Sequence, residues 1–159
     1  PEACERRATA RTTDLHYHER FSAKRGQGRL TLAPDFSMYR FYTGIVECPC
    51  VTMEKNADFT IDPQRVIDTA RREGARLIVF SNPCNPTSVG LSADDARKII
   101  RGTDALVVLD EAYMDFWDQS LLREAAQYDN LIICAPAQRR SASRASGWDL
   151  PWRMKCSRA

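Results

Sequence analysis

The sequence predicts an α/β fold with a mostly parallel sheet. Short apolar runs at residues 77–80, 105–109 and 131–133 alternate with segments of helical periodicity. Continuous apolar runs are typical of strands that are buried on both faces, and such strands need helices to cover them. The alternation of the two kinds of segment indicates parallel βαβ units.

The composition is that of one soluble globular domain. With 159 residues, of which 43% are hydrophobic and 28% charged, the chain is long enough for a real core. No run approaches the roughly 20 apolar residues of a membrane span, and no signal-peptide pattern opens the chain. The six cysteines show no zinc-type pairing, so we expect reduced thiols, no metal and a cytoplasmic location. Because the first residue is Pro1, we expect a fragment or a processed start.

Charge divides the chain into three stretches. Residues 1–29 carry seven basic and four acidic side chains, residues 30–133 carry ten and sixteen, and residues 134–159 carry six and one. We therefore divide the chain into a poorly readable segment (1–28), a core (29–133) and a basic tail of different origin. Basic ends can hold nucleic acid through its phosphates, but no aromatic residues interleave with these. We expect no nucleic-acid partner, and a non-catalytic fragment acting through its basic ends is the alternative from another class.

The first half of the core predicts two strands around an aromatic helix. Residues 30–32 form a short strand, and residues 36–42 form a helical segment that Gly44 ends. A second strand is expected over residues 45–53, where Pro49 interrupts it. Because proline cannot donate a hydrogen bond to a sheet, this strand is expected at an edge or to contain a bulge.

Capping residues mark the helices of the second half. Asp62 is a good N-cap for the first of them, and Gly74 suits the position that follows its end. Ser92 caps the next helix, which Gly102 closes. A further helix is expected over residues 121–126.

Two polar loops follow consecutive strands of the predicted sheet. A right-handed crossover brings such strands close together, so the loops at 82–87 and 110–113 are expected on one rim. This rim offers an amide (Asn85), a carboxylate (Asp110) and a phenol (Tyr113). The set would suit a flat heteroaromatic cofactor with a basic ring nitrogen and a phenolate oxygen. The alternative for the acidic residue is that it only caps a loop.

Three motifs carry a family resemblance. Pro-Asp-Phe-Ser-Met-Tyr at 34–39, Asn-Pro-Cys-Asn-Pro-Thr at 82–87 and Asp-Glu-Ala-Tyr at 110–113 occur in this order. They resemble three blocks of the fold-type I aminotransferases that depend on pyridoxal 5'-phosphate (PLP), and they are most similar to the histidinol-phosphate aminotransferase branch. The resemblance covers residues 29–133.

The resemblance implies a fold, a cofactor and a class of reaction. The fold is a partial three-layer α/β/α large domain of the PLP-dependent transferase type. The family transfers an amino group from a small-molecule amino donor to a keto acceptor, and its members are homodimers. A threonine-phosphate-decarboxylase-like enzyme, or another fold-type I enzyme, is the alternative, because the residues that read the substrate fall in the C-terminal part of the family.

The resemblance also implies roles for individual residues. Phe36 resembles the aromatic residue that stacks on the pyridine ring, and Asp110 resembles the carboxylate that faces the ring nitrogen. Asn85 and Tyr113 resemble the amide and the phenol that bond the ring 3-oxygen. Tyr39 is expected to serve packing. Ser88 stands where the family usually has glycine, and Gly90 is expected to supply the flexibility instead.

The lysine of the family is missing from its expected place. In the family, the strand equivalent to residues 131–133 leads into a Ser-Lys motif, whose lysine forms a Schiff base with the cofactor. Here the next lysine is Lys155, in no matching context. A reading frame shifted by one nucleotide permits Cys-Ser-Lys-Ala-Leu-Gly after residue 133, so we interpret 134–159 as a disordered or frameshifted tail. We expect no catalytic lysine, no covalent cofactor and little transaminase activity in this chain.

Overall fold

The structure is a computed structural model, and it describes residues 6–8, 28–45, 47–136 and 152–156. The segments 6–8 and 152–156 are described by their backbone. The interpretation of residues 1–28 as poorly readable and of 134–159 as a frameshifted tail lies for the most part outside the described residues.

The described residues form one seven-stranded sheet with helices between its parallel strands. The strands are β1 (Arg6–Ala8), β2 (Gly28–Ala33), β3 (Cys50–Glu54), β4 (Ala75–Ser81), β5 (Leu106–Asp110), β6 (Leu131–Pro136) and β7 (Trp152–Cys156), and the α-helices are α1 (Met38–Ile45), α2 (Pro63–Arg72) and α3 (Ala93–Gly102). Their order in the sheet is β1-β7-β6-β5-β4-β2-β3. The five strands β2 to β6 are parallel, whereas β7 is antiparallel to β6 and to β1. The predicted α/β class with a mostly parallel sheet is confirmed.

The expected caps of α2 and α3 are present. The Asp62 carboxylate accepts hydrogen bonds from the amides of Gln64 (2.9 Å) and Arg65 (3.4 Å) at the start of α2. Gly74 follows the same helix with a φ of 60°, in the left-handed region that glycine enters without strain. At α3, the Asp95 amide donates to the Ser92 hydroxyl over 3.1 Å.

The segment around Gly44 differs from the prediction. Helix α1 runs through Gly44 to Ile45, and strand β3 begins only at Cys50, so the strand expected over residues 45–53 was wrong in its first half. The chain leaves the helix through backbone bonds from Glu47 N to Gly44 O (3.2 Å) and from Cys48 N to Thr43 O (3.1 Å). These bonds continue the last helical turn. They use the backbone amides of Glu47 and Cys48, which are therefore not available for pairing in a sheet.

The helix expected over residues 121–126 is also replaced, by tight turns. A short 3-10 helix covers Ala125–Gln127. The Glu124 amide donates to the Leu121 carbonyl, three residues back, over 2.9 Å. The Gln127 amide donates in the same way to the Glu124 carbonyl over 2.8 Å. Such i to i+3 bonding is typical of short connecting segments.

Two apolar clusters cover the two faces of the sheet. The larger lies under α2 and α3, which approach so closely that a Cβ at Gly102 would meet the Ile67 side chain at 2.5 Å. The smaller lies on the face of α1 and contains Tyr39, Leu77, Val79, Val108, Ile132 and Cys134. Helices on both faces give the three layers that the family resemblance implied. No helix in the described part of the chain is long and apolar enough to cross a membrane.

Strand β6 runs past the expected end of the core. It continues to Pro136, three residues beyond the boundary at 133, and Cys134 and Ala135 are buried. Strand β7 pairs with it, and Lys155 is the register partner of Ile133.

Candidate functional site

The two polar loops leave the same rim of the sheet. Strands β4 and β5 are neighbours, with Ser81 paired to Asp110 at their carboxyl ends. The Asn82 amide at the start of the first loop donates to the Asp110 carbonyl over 2.8 Å. The shared rim expected from a right-handed crossover is therefore present.

Asp110 ends β5 with its carboxylate on the α1 face of the sheet. The Tyr39 hydroxyl donates to its Oδ2 over 2.6 Å, and the Ala112 amide donates to its Oδ1 over 2.9 Å. Burial raises the pKa of Asp110, the two hydrogen bonds oppose that shift, and the nearby Asp35 carboxylate adds to it. The group has partners for both oxygens but sits where ionisation is costly.

Tyr39 does more than the packing expected of it. Its ring is 2% exposed and lies in the apolar cluster of the α1 face, while its hydroxyl reaches Asp110. The Phe36 ring stands edge-on to the Tyr39 ring, with centroids 5.5 Å apart and planes at 77°. Since Phe36 itself is 44% exposed, it offers a free aromatic face at the rim. Phe36 and Asp110 are thus joined through Tyr39.

Asn85 and Tyr113 form the second pair. The Asn85 amide Nδ2 donates to the Tyr113 hydroxyl over 2.8 Å, and both side chains are exposed. The Asn85–Pro86 peptide bond is cis. Tyr113 lies three residues after Asp110, so this pair and the Asp110 carboxylate belong to one stretch of the rim.

A second carboxylate, Asp35, was not among the expected site residues. It accepts hydrogen bonds from the Ser81 hydroxyl, from the Ser81 amide (3.2 Å) and from the Phe36 amide (2.7 Å). Lys55 forms a salt bridge with it over 3.4 Å, with both side chains at most 2% exposed. A lysine directly after a strand is an ordinary surface pattern, so the sequence carried no signal for this pair.

Two buried side chains hold the loops in place. Asn82 bonds both backbone groups of Leu91, which closes the loop that carries Asn85. Glu111 is fully buried and accepts from the Ser120 hydroxyl (2.6 Å) and the Leu121 amide (3.0 Å), which closes the loop that carries Tyr113. Burial raises the pKa of Glu111 against these two hydrogen bonds, and the neighbouring Asp110 charge adds to the shift.

Ser88 takes the left-handed backbone conformation itself. Its φ is 59°, whereas Gly90 does not have a positive φ. Instead, Gly90 lies against the Trp117 ring, which a Cβ would approach to 2.9 Å. The expectation that Gly90 supplies the missing flexibility was therefore wrong, because the strain stays at Ser88.

The arrangement suits a flat ligand with a protonated ring nitrogen. Among residues 28–45 and 47–136, the ion pairs with lysine or arginine leave Asp110 out, and its hydrogen bonds come from neutral donors. A carboxylate that is partly withdrawn from water, as that of Asp110 is, is stabilised by a cation in contact with it. A cationic heteroaromatic ring would supply that cation and could lie against the exposed Phe36 ring, with the Asn85–Tyr113 pair at hand for an oxygen substituent.

A family model and several curated relatives match most of the chain. The family model for aminotransferase class I and II matches residues 16–136. The histidinol-phosphate aminotransferase of Clostridium novyi is 38% identical over 118 residues, which are 74% of this chain and 32% of that protein. The chain therefore spans about a third of the length of the curated relatives it matches.

Solved structures show the same fold. The histidinol-phosphate aminotransferase of Sinorhizobium meliloti in complex with pyridoxal-5'-phosphate has a TM-score of 0.73 at 20% identity, covering 91% of this chain and 40% of that one. The L-threonine-O-3-phosphate decarboxylase of Porphyromonas gingivalis has a TM-score of 0.67 at 18% identity, covering 92% and 42%. With the family match over residues 16–136, these likenesses lead to one conclusion: the chain belongs to the family of class I and II aminotransferases.

Proposed function

We propose that this chain is the cofactor-binding part of a histidinol-phosphate-type aminotransferase and that its rim holds the ring of pyridoxal 5'-phosphate. The observation that carries the proposal is the Asp110 carboxylate, which is half-buried at the end of β5 with neutral donors on both oxygens. A protonated ring nitrogen is the cation that such a carboxylate lacks among the described residues.

Each expected site residue has a task in this proposal. Asp110 accepts the N–H of the ring nitrogen, and Phe36 covers one face of the ring. The Asn85 amide and the Tyr113 phenol, 2.8 Å apart, direct hydrogen bonds at the ring oxygen. When bound, pyridoxal phosphate supplies an electron-withdrawing ring that stabilises negative charge on a substrate carbon.

The substrate proposal depends on the relatives. An amino donor and a keto acceptor follow from the family, and the histidinol-phosphate type is supported by the 38% identity to the Clostridium novyi enzyme. A threonine-phosphate-decarboxylase-like reaction is the runner-up, supported by a fold likeness at 18% identity. The homodimer of the family is proposed on the same ground. A cytoplasmic location fits the thiols of Cys50 and Cys84, which form no disulfide.

We also propose that the chain holds the cofactor without a covalent bond and transfers amino groups poorly. Of its lysines, Lys55 is buried against Asp35 and Lys98 pairs with Asp95 on α3. The segment after β6 lacks the Ser-Lys motif of the family. Since that lysine provides both the covalent link and the proton transfer, its loss removes the main catalytic group.

Binding of a ring that lacks the aldehyde tests the ring site directly. We would titrate the purified chain with 4'-deoxypyridoxine 5'-phosphate at neutral pH by calorimetry. Asp110→Asn should weaken binding at least about tenfold, because the ring nitrogen loses its carboxylate partner. Asp104→Asn is the matched control, since Asp104 is exposed before the opposite end of the same strand. Equal affinity of parent and Asp110→Asn, or no binding by the parent, would contradict the proposal.

Covalent attachment is tested separately. The chain is mixed with pyridoxal 5'-phosphate, reduced with borohydride and analysed by mass spectrometry for a site-specific adduct. We expect no stoichiometric adduct at any one lysine. A stoichiometric adduct that Lys155→Arg abolishes and Lys98→Arg leaves intact would show that Lys155 has taken the place of the missing lysine.

A further inference from the structure

Helix α1 brings a phenol to the candidate ring-binding carboxylate. The Tyr39 hydroxyl donates to Oδ2 of Asp110 over 2.6 Å, a short hydrogen bond of the charge-assisted kind. The other oxygen, Oδ1, is taken by the Ala112 amide, which belongs to the chain directly after β5. The orientation of the carboxylate is therefore set by one bond from its own loop and one from a separate element.

Packing alone does not account for a tyrosine at this position. The ring lies in the apolar cluster with Leu77, Val79 and Val108, where a phenylalanine would fill the same volume. A buried hydroxyl needs a hydrogen-bond partner, and the partner here is the Asp110 carboxylate. The hydroxyl is thus the part of Tyr39 that the core does not require.

The groups around Asp110 oppose its ionisation, and the hydrogen bond from Tyr39 favours it. The titratable groups that face it or its neighbours are Tyr39 on α1, Asp35 before α1, Glu111 after β5 and Cys134 on the adjacent β6, with Lys55 bound to Asp35. Burial and the Asp35 charge raise the pKa of Asp110, and the Tyr39 hydrogen bond is the larger of the two bonds that lower it. Lys55 directs its charge to Asp35.

We propose that Tyr39 is a positioning residue of the ring site, which aims the Asp110 carboxylate and keeps it ionised for a cationic ring nitrogen. This inference deepens the proposed function and depends on it for the identity of the ligand. Tyr39 itself does not contact the ligand; it acts through Asp110.

The test measures Asp110 without any ligand. The carboxyl carbon of Asp110, assigned by comparison with Asp110→Asn, is titrated by carbon NMR across the acidic and neutral range. Tyr39→Phe should raise the titration midpoint by about one pH unit, because the ionised form loses its strongest hydrogen bond. Site-specific 3-fluorotyrosine at position 39, a stronger donor of the same shape, should lower the midpoint. A purely structural role predicts neither shift.

A distant tyrosine supplies the control. Tyr128 is buried and its hydroxyl lies 3.3 Å from Arg101, so Tyr128→Phe also removes a buried, hydrogen-bonded phenol. It should leave the Asp110 midpoint unchanged. Unchanged midpoints for both Tyr39 variants would overturn the inference, and the fluorotyrosine variant keeps this outcome accessible if Tyr39→Phe does not fold.

Ligand binding separates this inference from the proposed function. With 4'-deoxypyridoxine 5'-phosphate, Tyr39→Phe should weaken binding more at neutral than at acidic pH if the ring site is real. If the midpoints shift as expected while Asp110→Asn binds the ring as well as the parent does, the proposed function fails and the link between Tyr39 and Asp110 stands.

Discussion

The Asn82 side chain forms two hydrogen bonds with the backbone of Leu91. The Asn82 Nδ2 donates to the Leu91 carbonyl over 3.0 Å, and the Leu91 amide donates to the Asn82 Oδ1 over 2.7 Å. Both residues are almost fully buried, so the side-chain amide takes the place of a backbone partner for both groups. The loop between them carries Asn85, and the two hydrogen bonds fix the position of that side chain at the rim.

Removing the two hydrogen bonds between Asn82 and Leu91 should destabilise the folded chain strongly. Asn82→Leu leaves the Leu91 amide and carbonyl buried without partners, and we expect the free energy of unfolding to fall by about 3 kcal/mol. Urea unfolding measures the change. The control is Asn56→Leu, because Asn56 bonds Thr60 in an exposed loop and should cost less than about 1 kcal/mol. Equal losses in the two variants would contradict the assignment.

Ser88→Gly should stabilise the chain. The left-handed backbone at Ser88 costs a side-chain-bearing residue about 1–2 kcal/mol, and the added freedom of glycine in the unfolded chain returns about 0.4–1 kcal/mol of this. We expect a net gain of about 0.5 kcal/mol, read as a higher midpoint in urea. Ser88→Ala, which keeps the Cβ, should show no gain. A gain in the alanine variant would mean that the hydroxyl, and not the backbone, is the source of the strain.

Lys55→Met should lower the free energy of unfolding, because it leaves the buried Asp35 carboxylate without its cation. Asp35 would keep its hydrogen bonds from Ser81 and Phe36 but lose its cation, and removing one partner of a buried pair costs about 3 kcal/mol. Lys98→Met breaks an exposed pair on α3 and should cost less than about 1 kcal/mol. Combining Lys55→Met with Asp35→Asn should recover part of the loss, and no recovery would mean that Lys55 acts mainly through its packing.

Glu111 predicts a pH dependence of stability. Its pKa is raised by burial, so the folded state binds the proton more tightly than the unfolded state does. Stability from this group is complete below the ordinary glutamate range of about 4.3 and is lost as the pH rises through the raised value. Glu111→Gln removes this loss, so its stability relative to the parent should increase from pH about 4 upward in urea unfolding.

A second glutamate gives the opposite sign. The hydrogen bonds from Arg97 lower the pKa of Glu124, so its contribution is present above the ordinary range and is lost as the pH falls. Glu124→Gln should therefore approach the parent in stability at acidic pH. If both variants changed with pH in the same direction, the raised pKa assigned to Glu111 would be wrong.

Local patterns were sufficient for the central strands of the sheet and for part of the rim. The runs at 77–80 and 105–109 are apolar throughout, and short runs of this kind are typical of strands that are covered on both faces. The caps at Asp62 and Ser92 were readable because a cap involves only residues two or three positions apart. The helix expected at 121–126 was wrong, because the amides of Glu124 and Gln127 bond carbonyls three residues back and the segment forms tight turns.

The alternation of strands and helices in the core, the shared rim of the two polar loops and the family motifs could be read from the order and types of the residues, because they depend on local periodicity and on a near-universal crossover hand. The pairings across the rim could not. Tyr39 and Asp110 are 71 positions apart, and Asp35 and Ser81 are 46 apart. Whether a buried tyrosine only packs or also aims a carboxylate depends on which strand end lies over its hydroxyl, and that is set by how α1 lies on the sheet. Long-range packing thus turned Tyr39 from an expected core residue into the partner of Asp110.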